Sequence, residues 1–203
     1  MLASDRYYEL TNRRYVYNIM PISNVASVLR HGIVCFDMME RISHSSIAMN
    51  EVQARRSLVE IPNGLPLHQY ANLYFSFRNP MLYIRKSMAE DLCVLALHAT
   101  VMDIDGCVVS DRNAAVGLAR FYEPTIGMER LNFDLIHAKY WTDTNEFQQR
   151  EKKAIKCAEI LIPHSVSSQY IVGAYVLNEE SKEKLIAQGF EKTIHVNSDV
   201  FFR

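Results

Sequence analysis

LYFSFRNPMLY, residues 73–83, changes character halfway along. Leu73, Phe75 and Phe77 alternate with Tyr74 and Ser76, the period of two that sends successive side chains to opposite faces of a β-strand. Where a polar turn is expected come Arg78, Asn79, Pro80 and Met81, and apolar and aromatic residues then resume. A guanidinium and an amide against a proline, between two hydrophobic runs, fit either a strand–turn–strand corner or a ligand site at a strand end.

Working upstream, EIPNGLPLHQY (60–70) has the prolines and Asn-Gly of turns. NEVQARR (50–56) reads as a short helix with Asn50 as N-cap. Tyr15–Ile22 is strand-like, and Ser23 is placed to cap a helix carrying Val25, Val28 and Leu29 that Gly32 closes. The polar region from Asp37 to Asn50, around His44, shows no period. Downstream, Leu92–Ala99 is a continuous apolar strand suited to the middle of a sheet. Asp111 is placed to cap a helix through Ala119. Residues 120–153 are long and mixed, hold the single tryptophan, Trp141, and have the irregularity of functional loops. AIKCAEILIP (154–163) and YIVGAYVL (170–177) read as strands, and Asn178 caps an amphipathic helix ending at Gly189. About six strands separated by short helices predict an α+β fold without regular doubly wound alternation.

The 203 residues fit one domain, 1–203, and 49% hydrophobic against 22% charged residues suffices for a core. A net charge of −1 argues against coating nucleic acid by bulk charge, while leaving room for a local basic groove. The first fifteen residues carry three arginines and no apolar run, which predicts no secretory leader. LCVLALHATV (92–101) is about half a membrane span. The expectation is a cytoplasmic monomer with no membrane association. Cys35, Cys93, Cys107 and Cys157 are widely spaced and the histidines form no HxxxH pattern, so reduced core thiols and no metal are expected.

Glu159 is the most conspicuous carboxylate. In a strand it shares a face with Ile155, Cys157 and Leu161, where an ionised group is costly unless paired. It is either an edge-strand residue facing solvent or a fixed charge suited to stabilising a cationic sugar carbon. Arg55 and Arg56 are either solvated or one of them forks onto an oxygen ligand. Arg78 sits between two buried runs, where solvation is awkward. Arg150, Lys152, Lys153 and Lys156 form a basic cluster able to meet a nucleic-acid backbone. Tyr70, Tyr74, Phe121, Tyr122 and Trp141 are core residues or base-stacking platforms. GxGxxG, P-loop and GxSxG motifs are absent, which excludes the usual dinucleotide, triphosphate and serine-hydrolase frames.

YNIMPISNVASVLRHGI (17–33), IAMNEVQARR (47–56), LPLHQYANLYFSFRNPMLY (65–83), RFY (120–122) and KKAIKCAEILIP (152–163) occur in an order that resembles the DarT family of DNA ADP-ribosyltransferase toxins. The resemblance runs from about Tyr15 to Gly189. It implies an ADP-ribosyltransferase-like split mixed β-sheet core with surrounding helices. It also implies NAD consumed as substrate, transfer of ADP-ribose to thymidine or guanosine in single-stranded DNA, and a cognate antitoxin that hydrolyses the product. By position, Glu159 and Arg56 match the family's catalytic pair. Asn24, Tyr70 and Tyr74 fall on the NAD side, with Arg55 as the fallback for a register slip. Arg78, Met81, Lys153, Arg120 and Tyr122 fall on the DNA side. Pro21 stands where many members have a histidine, which implies a changed NAD grip. The competing readings are an inactive relative that binds NAD or single-stranded DNA, a transferase acting on RNA or protein, and an interaction module.

Overall fold

The computed structural model describes residues 1–39, 42, 44–47 and 49–202. Parts of the polar stretch expected between Asp37 and Asn50 (40, 41, 43 and 48) lie outside the described residues. The strands are β1 (Tyr15–Pro21), β2 (Ile33–Val34), β3 (Tyr70–Tyr74), β4 (Leu92–His98), β5 (Val108–Ser110), β6 (Phe121–Tyr122), β7 (Glu159–Pro163), β8 (Ser165–Val166), β9 (Ile171–Val176) and β10 (Thr193–Val196). The α-helices are α1 (Ala3–Thr11), α2 (Val25–His31), α3 (Phe36–Met39), α4 (Asn50–Arg56), α5 (Pro80–Ile84), α6 (Pro124–Met128), α7 (Phe133–His137), α8 (Glu146–Ile155) and α9 (Glu179–Ala187).

Eight strands form one sheet in the order β10-β9-β4-β1-β3-β7-β5-β6, parallel only at β10–β9. β4 is paired on both sides, and its residues from Leu92 to Leu97 are all buried, as its apolar run predicts. Alternation splits the core into two layers. Val16, Leu73, Phe75, Leu95 and Ile160 join one cluster with Val25 and Val28 of α2; Tyr17, Ile19, Tyr74, Val94 and Ala96 join another with Leu82 of α5.

The sheet opens in its middle. β1 pairs with β4 along its whole length, from Tyr15↔His98 to Pro21↔Leu92, and β3 pairs with β7 from Tyr70↔Pro163 to Tyr74↔Glu159. Between β1 and β3 the register holds only at Tyr17↔Tyr74. Beyond it the strands diverge, and the Asn18 Nδ2 reaches across to the Asn72 carbonyl at 3.0 Å. This is the split mixed sheet that the family resemblance implies.

Several local expectations are corrected. The corner after Tyr74 leads into a helix rather than a second strand. Asn79 is fully buried, its Oδ1 accepts the Leu82 N–H at 3.1 Å, its Nδ2 donates to the Ser76 carbonyl at 2.9 Å, and Pro80 opens α5. Residues 111–119 form no helix: Ser110↔Phe121 pairing makes them the loop of a β5–β6 hairpin, with Asp111 Oδ1 accepting the Arg120 N–H. AIKC belongs to the end of α8 and the link after it, because Asn145 caps a helix running to Ile155. Ile155 and Cys157 therefore share no strand face with Glu159, which begins β7. Ser23 lies in a 3-10 turn before α2, and Asn50 is the first helical residue rather than the cap. Asn178 caps α9 as read, and Gly32 closes α2 at φ 78°.

Candidate active site

β7 runs between β3 and β5, so Glu159 is not on an edge, and its side chain is fully buried. The carboxylate is paired. Arg56, last residue of α4, donates through Nη1 to Oε2 at 2.9 Å and to Oε1 at 3.1 Å; the Ala114 N–H adds a bond to Oε1 at 2.9 Å. Each oxygen thus has a donor, the condition under which a buried ion pair is tolerable. Arg55 is exposed and outside the cleft, so the register that brings a guanidinium to Glu159 is that of Arg56.

Arg56 forms part of the wall of a cleft of about 330 Å³ at the split of the sheet, within the size range of small-molecule sites. Asn18, Met20 and Pro21 line one side, Asn72 and Tyr74 the other, and His44–Ile47 also contribute. Among the described residues, no aspartate or glutamate lines it. Glu159 lies behind Arg56, so the cleft presents the guanidinium first. Tyr74, opposite Glu159 in the β3–β7 register, has its phenol pKa raised by burial and then by the nearby carboxylate, which keeps it a neutral hydroxyl. Burial, with Glu159 adding, pushes the Cys157 thiol up to about 12, so this cleft-lining cysteine is no thiolate nucleophile at neutral pH. The His68 pKa is lowered by burial and by Arg56, which leaves the ring neutral at physiological pH.

Asn24 lines the same cleft and makes a reciprocal amide pair with Ser45: Nδ2 donates to the Ser45 carbonyl, and Oδ1 accepts the Ser45 N–H, both at 2.8 Å. Arg85, which sequence reasoning missed, holds the neighbouring Ile47 carbonyl through Nε at 2.8 Å and through Nη2. Its only signal was its place two residues beyond MLY. Tyr70 stands apart from the cleft. It packs with Ile61, Leu67, Ala114 and Leu161, and its hydroxyl accepts the Leu65 N–H. Its expected place on the NAD side is corrected to a core role under the 59–67 turn.

On the expected DNA side, Met81 lines the cleft together with Pro80 and Ile84. Arg78 does not. It borders a second cavity of about 450 Å³ with Arg13, Lys139 and Tyr140, donates to the Lys139 and Asp199 carbonyls, and lies 4.2 Å from the Phe202 ring centre. The basic cluster is dispersed. Lys156 is 1% exposed and donates to the Ile136 and Ala138 carbonyls at 2.8 and 2.7 Å; Lys152 pairs with Asp143 at 2.6 Å. Lys153 remains exposed on α8 and Arg120 is exposed at the end of the 111–120 loop, whereas Tyr122 packs against the core. Trp141 is likewise buried, edge-on to Tyr83 and Phe202, rather than an open stacking platform. All four cysteines are free and buried, and among the described residues no group of three acidic, histidine or cysteine side chains is placed to hold a metal.

A family model described as "ssDNA thymidine ADP-ribosyltransferase, DarT" matches residues 17–202. A DNA ADP-ribosyl transferase of Thermus sp. (strain 2.9) is 32% identical over 158 residues, covering 72% of this chain and 73% of that protein. A DNA ADP-ribosyl transferase–DNA ADP-ribosyl glycohydrolase fusion protein of Thermosipho africanus is 30% identical over 188 residues, 90% of this chain. The chain spans about half of that fusion protein, 46% of its length. Among solved structures, Thermus sp. 2.9 DarT in complex with ADP-ribosylated ssDNA superposes with a TM-score of 0.82 at 25% identity, covering 94% of this chain and 97% of that one. With a family match over almost its whole length and a split sheet that superposes on a solved member, the chain belongs to the DarT family of single-stranded DNA ADP-ribosyltransferases.

Proposed function

We propose that this chain breaks the glycosidic bond between nicotinamide and ribose in NAD and joins the ribose C1′ to a base of single-stranded DNA. Nicotinamide leaves with the bonding electrons, the base supplies the new pair, and a proton leaves the base. The observation that carries this reading is the buried Arg56–Glu159 pair, with Arg56 in the wall of a cleft at the split of the sheet and, among the described residues, no carboxylate in the lining. As the bond to nicotinamide stretches, positive charge develops on the sugar. A fixed carboxylate in a water-poor site stabilises that charge without reorganising. Arg56 orients Glu159 and is the member of the pair that faces the cleft, so it is the group placed to meet the leaving side of NAD or the attacking base. Pro21 supplies apolar wall where the family resemblance implies a histidine in many members, and so NAD here is proposed to rely more on neighbouring amides and Arg56.

Thymidine, named in the family's description, is the first base to test, with guanosine second. Met81 and the exposed Arg120 and Lys153 are the residues on which DNA contact is proposed. The transferase joined to a glycohydrolase in the Thermosipho relative supports a partner hydrolase that removes the product here; the chain is further proposed to act as a monomeric cytoplasmic toxin. No helix among the described residues is long and apolar enough to cross a membrane. Nicotinamide release, measured with NAD and single-stranded, double-stranded or RNA oligonucleotides, tests the proposal. Release stimulated by single-stranded DNA alone is expected; stimulation by RNA, or none by any oligonucleotide, overturns the choice of substrate.

A further inference from the structure

Ser110, the last residue of β5, is polar and fully buried. Its Oγ donates to the Arg112 carbonyl at 2.7 Å and accepts the Glu159 N–H at 3.2 Å. Two residues after Arg112, the Ala114 N–H donates to Glu159 Oε1 at 2.9 Å. These bonds close a ring that runs from the Ser110 hydroxyl into the loop, from the loop amide to the Glu159 carboxylate, and from the Glu159 amide back to Ser110. The same turn is anchored again where the Asn113 N–H donates to the Ala154 carbonyl at 2.9 Å, and Asn113 itself lines the cleft. At the other end of the loop, Asp111 Oδ1 accepts the Arg120 N–H at 3.0 Å.

The ring does something the ion pair cannot do alone. Arg56 reaches both carboxylate oxygens through a single nitrogen, Nη1, and so supplies one direction of approach. The Ala114 amide supplies a second direction on Oε1. Ser110 holds the carbonyl two residues before that amide, and the Asn113 anchor holds the residue between them.

We propose that Ser110 is a positioning residue that sets the orientation of the Glu159 carboxylate through the Arg112–Ala114 turn. By the same ring it couples the 111–120 loop, which ends at the exposed Arg120, to the reacting centre. The proposal rests on the assignment of Glu159 as the charge-stabilising group. Small errors in the placement of such a group are costly in rate, and a serine that acts on placement affects turnover rather than substrate capture.

The test is a cycle of Ser110→Ala, Glu159→Gln and the double variant, with kcat and the KM for NAD measured per folded molecule on a single-stranded oligonucleotide. Ser110→Ala is expected to lower kcat about tenfold, with the KM for NAD within about twofold of the parent. In the Glu159→Gln background the same serine change is expected to cost less than about twofold, because the group it positions has already lost its charge. Ser110→Cys, close in size but a weak donor, falls between parent and alanine variant and serves if alanine folds poorly. Parental kcat in Ser110→Ala, or the same loss in both backgrounds, overturns the proposal while leaving Glu159 in place. Near-parental turnover in Glu159→Gln overturns the Glu159 assignment and the role of Ser110 with it.

Discussion

Removing either member of the Arg56–Glu159 pair leaves the other buried without its charge partner, and the cost is calculable in kind. Glu159 is fully buried and the Arg56 side chain is 9% exposed, so neither survivor recovers its hydration. Arg56→Ala leaves the carboxylate with only the Ala114 N–H, the situation in which a broken buried pair costs about 3–5 kcal/mol. In a domain of this size about 1 kcal/mol moves the melting temperature by roughly 2–4 °C, so a fall of about 10 °C is expected. Glu159→Gln is milder, because the amide oxygen still accepts from the guanidinium and from Ala114; about 1–3 kcal/mol is expected. Combining the two changes removes both charges, and the double variant should be more stable than additivity predicts by about 2 kcal/mol. Thermal and denaturant melts of the four proteins measure this. The coupling should persist at high salt, because a buried pair is little screened. An additive cycle, or a coupling abolished by salt, would refute the buried-pair argument and return Glu159 to a solvent-facing role.

Lys156 gives a pH prediction. Burial lowers its pKa from the usual lysine value to about 8, with Arg78 and Arg13 acting in the same direction. Between about pH 8 and 10 the unfolded chain therefore holds a proton that the folded chain has released, and this group's contribution to stability rises with pH; below about pH 8 it is flat. Melts of the parent and of Lys156→Met across that window should differ in slope, and parallel curves would show that Lys156 titrates normally. Asn79→Ala should lower stability by about 1–2 kcal/mol through loss of the α5 cap and of the bond to the Ser76 carbonyl. An unchanged melt would mean that Pro80 alone fixes the corner.

What the sequence disclosed followed from period and cap chemistry. The apolar run of β4 placed a strand, Gly32 and Asn178 marked helix ends, and the order of motifs placed the split sheet; the alternation from Leu73 to Phe77 caught only the end of β3, which stops at Tyr74. The errors have physical causes. AIKC is apolar enough for a strand, but Asn145 and a run of good helix formers extend α8 through Ile155, so the face assigned to Glu159 was wrong although its suspicion as a costly carboxylate was sound. The basic cluster looked continuous in sequence, yet helical geometry turns Lys156 inward to two carbonyls and leaves Lys153 outside. Tyr70 and Trp141 carry the same residue chemistry as stacking platforms, and only packing shows that their faces are taken. Ser110 and the amide of Ala114 left no local signal, because what they hold, Glu159, is distant in sequence, and Arg85 left only its place beyond MLY.

Mass spectrometry of a single-stranded oligonucleotide after incubation with NAD tests the central claim most directly. The account predicts one ADP-ribose added to a base in the parent reaction, matched by released nicotinamide, and almost none with Glu159→Gln, whose NAD affinity should stay close to parental because the cationic sugar exists only at the barrier. A charge-stabilising term of this type is worth on the order of 3 kcal/mol, or about 100-fold in rate. An unmodified oligonucleotide alongside consumed NAD, or equal modification by parent and Glu159→Gln, would contradict it.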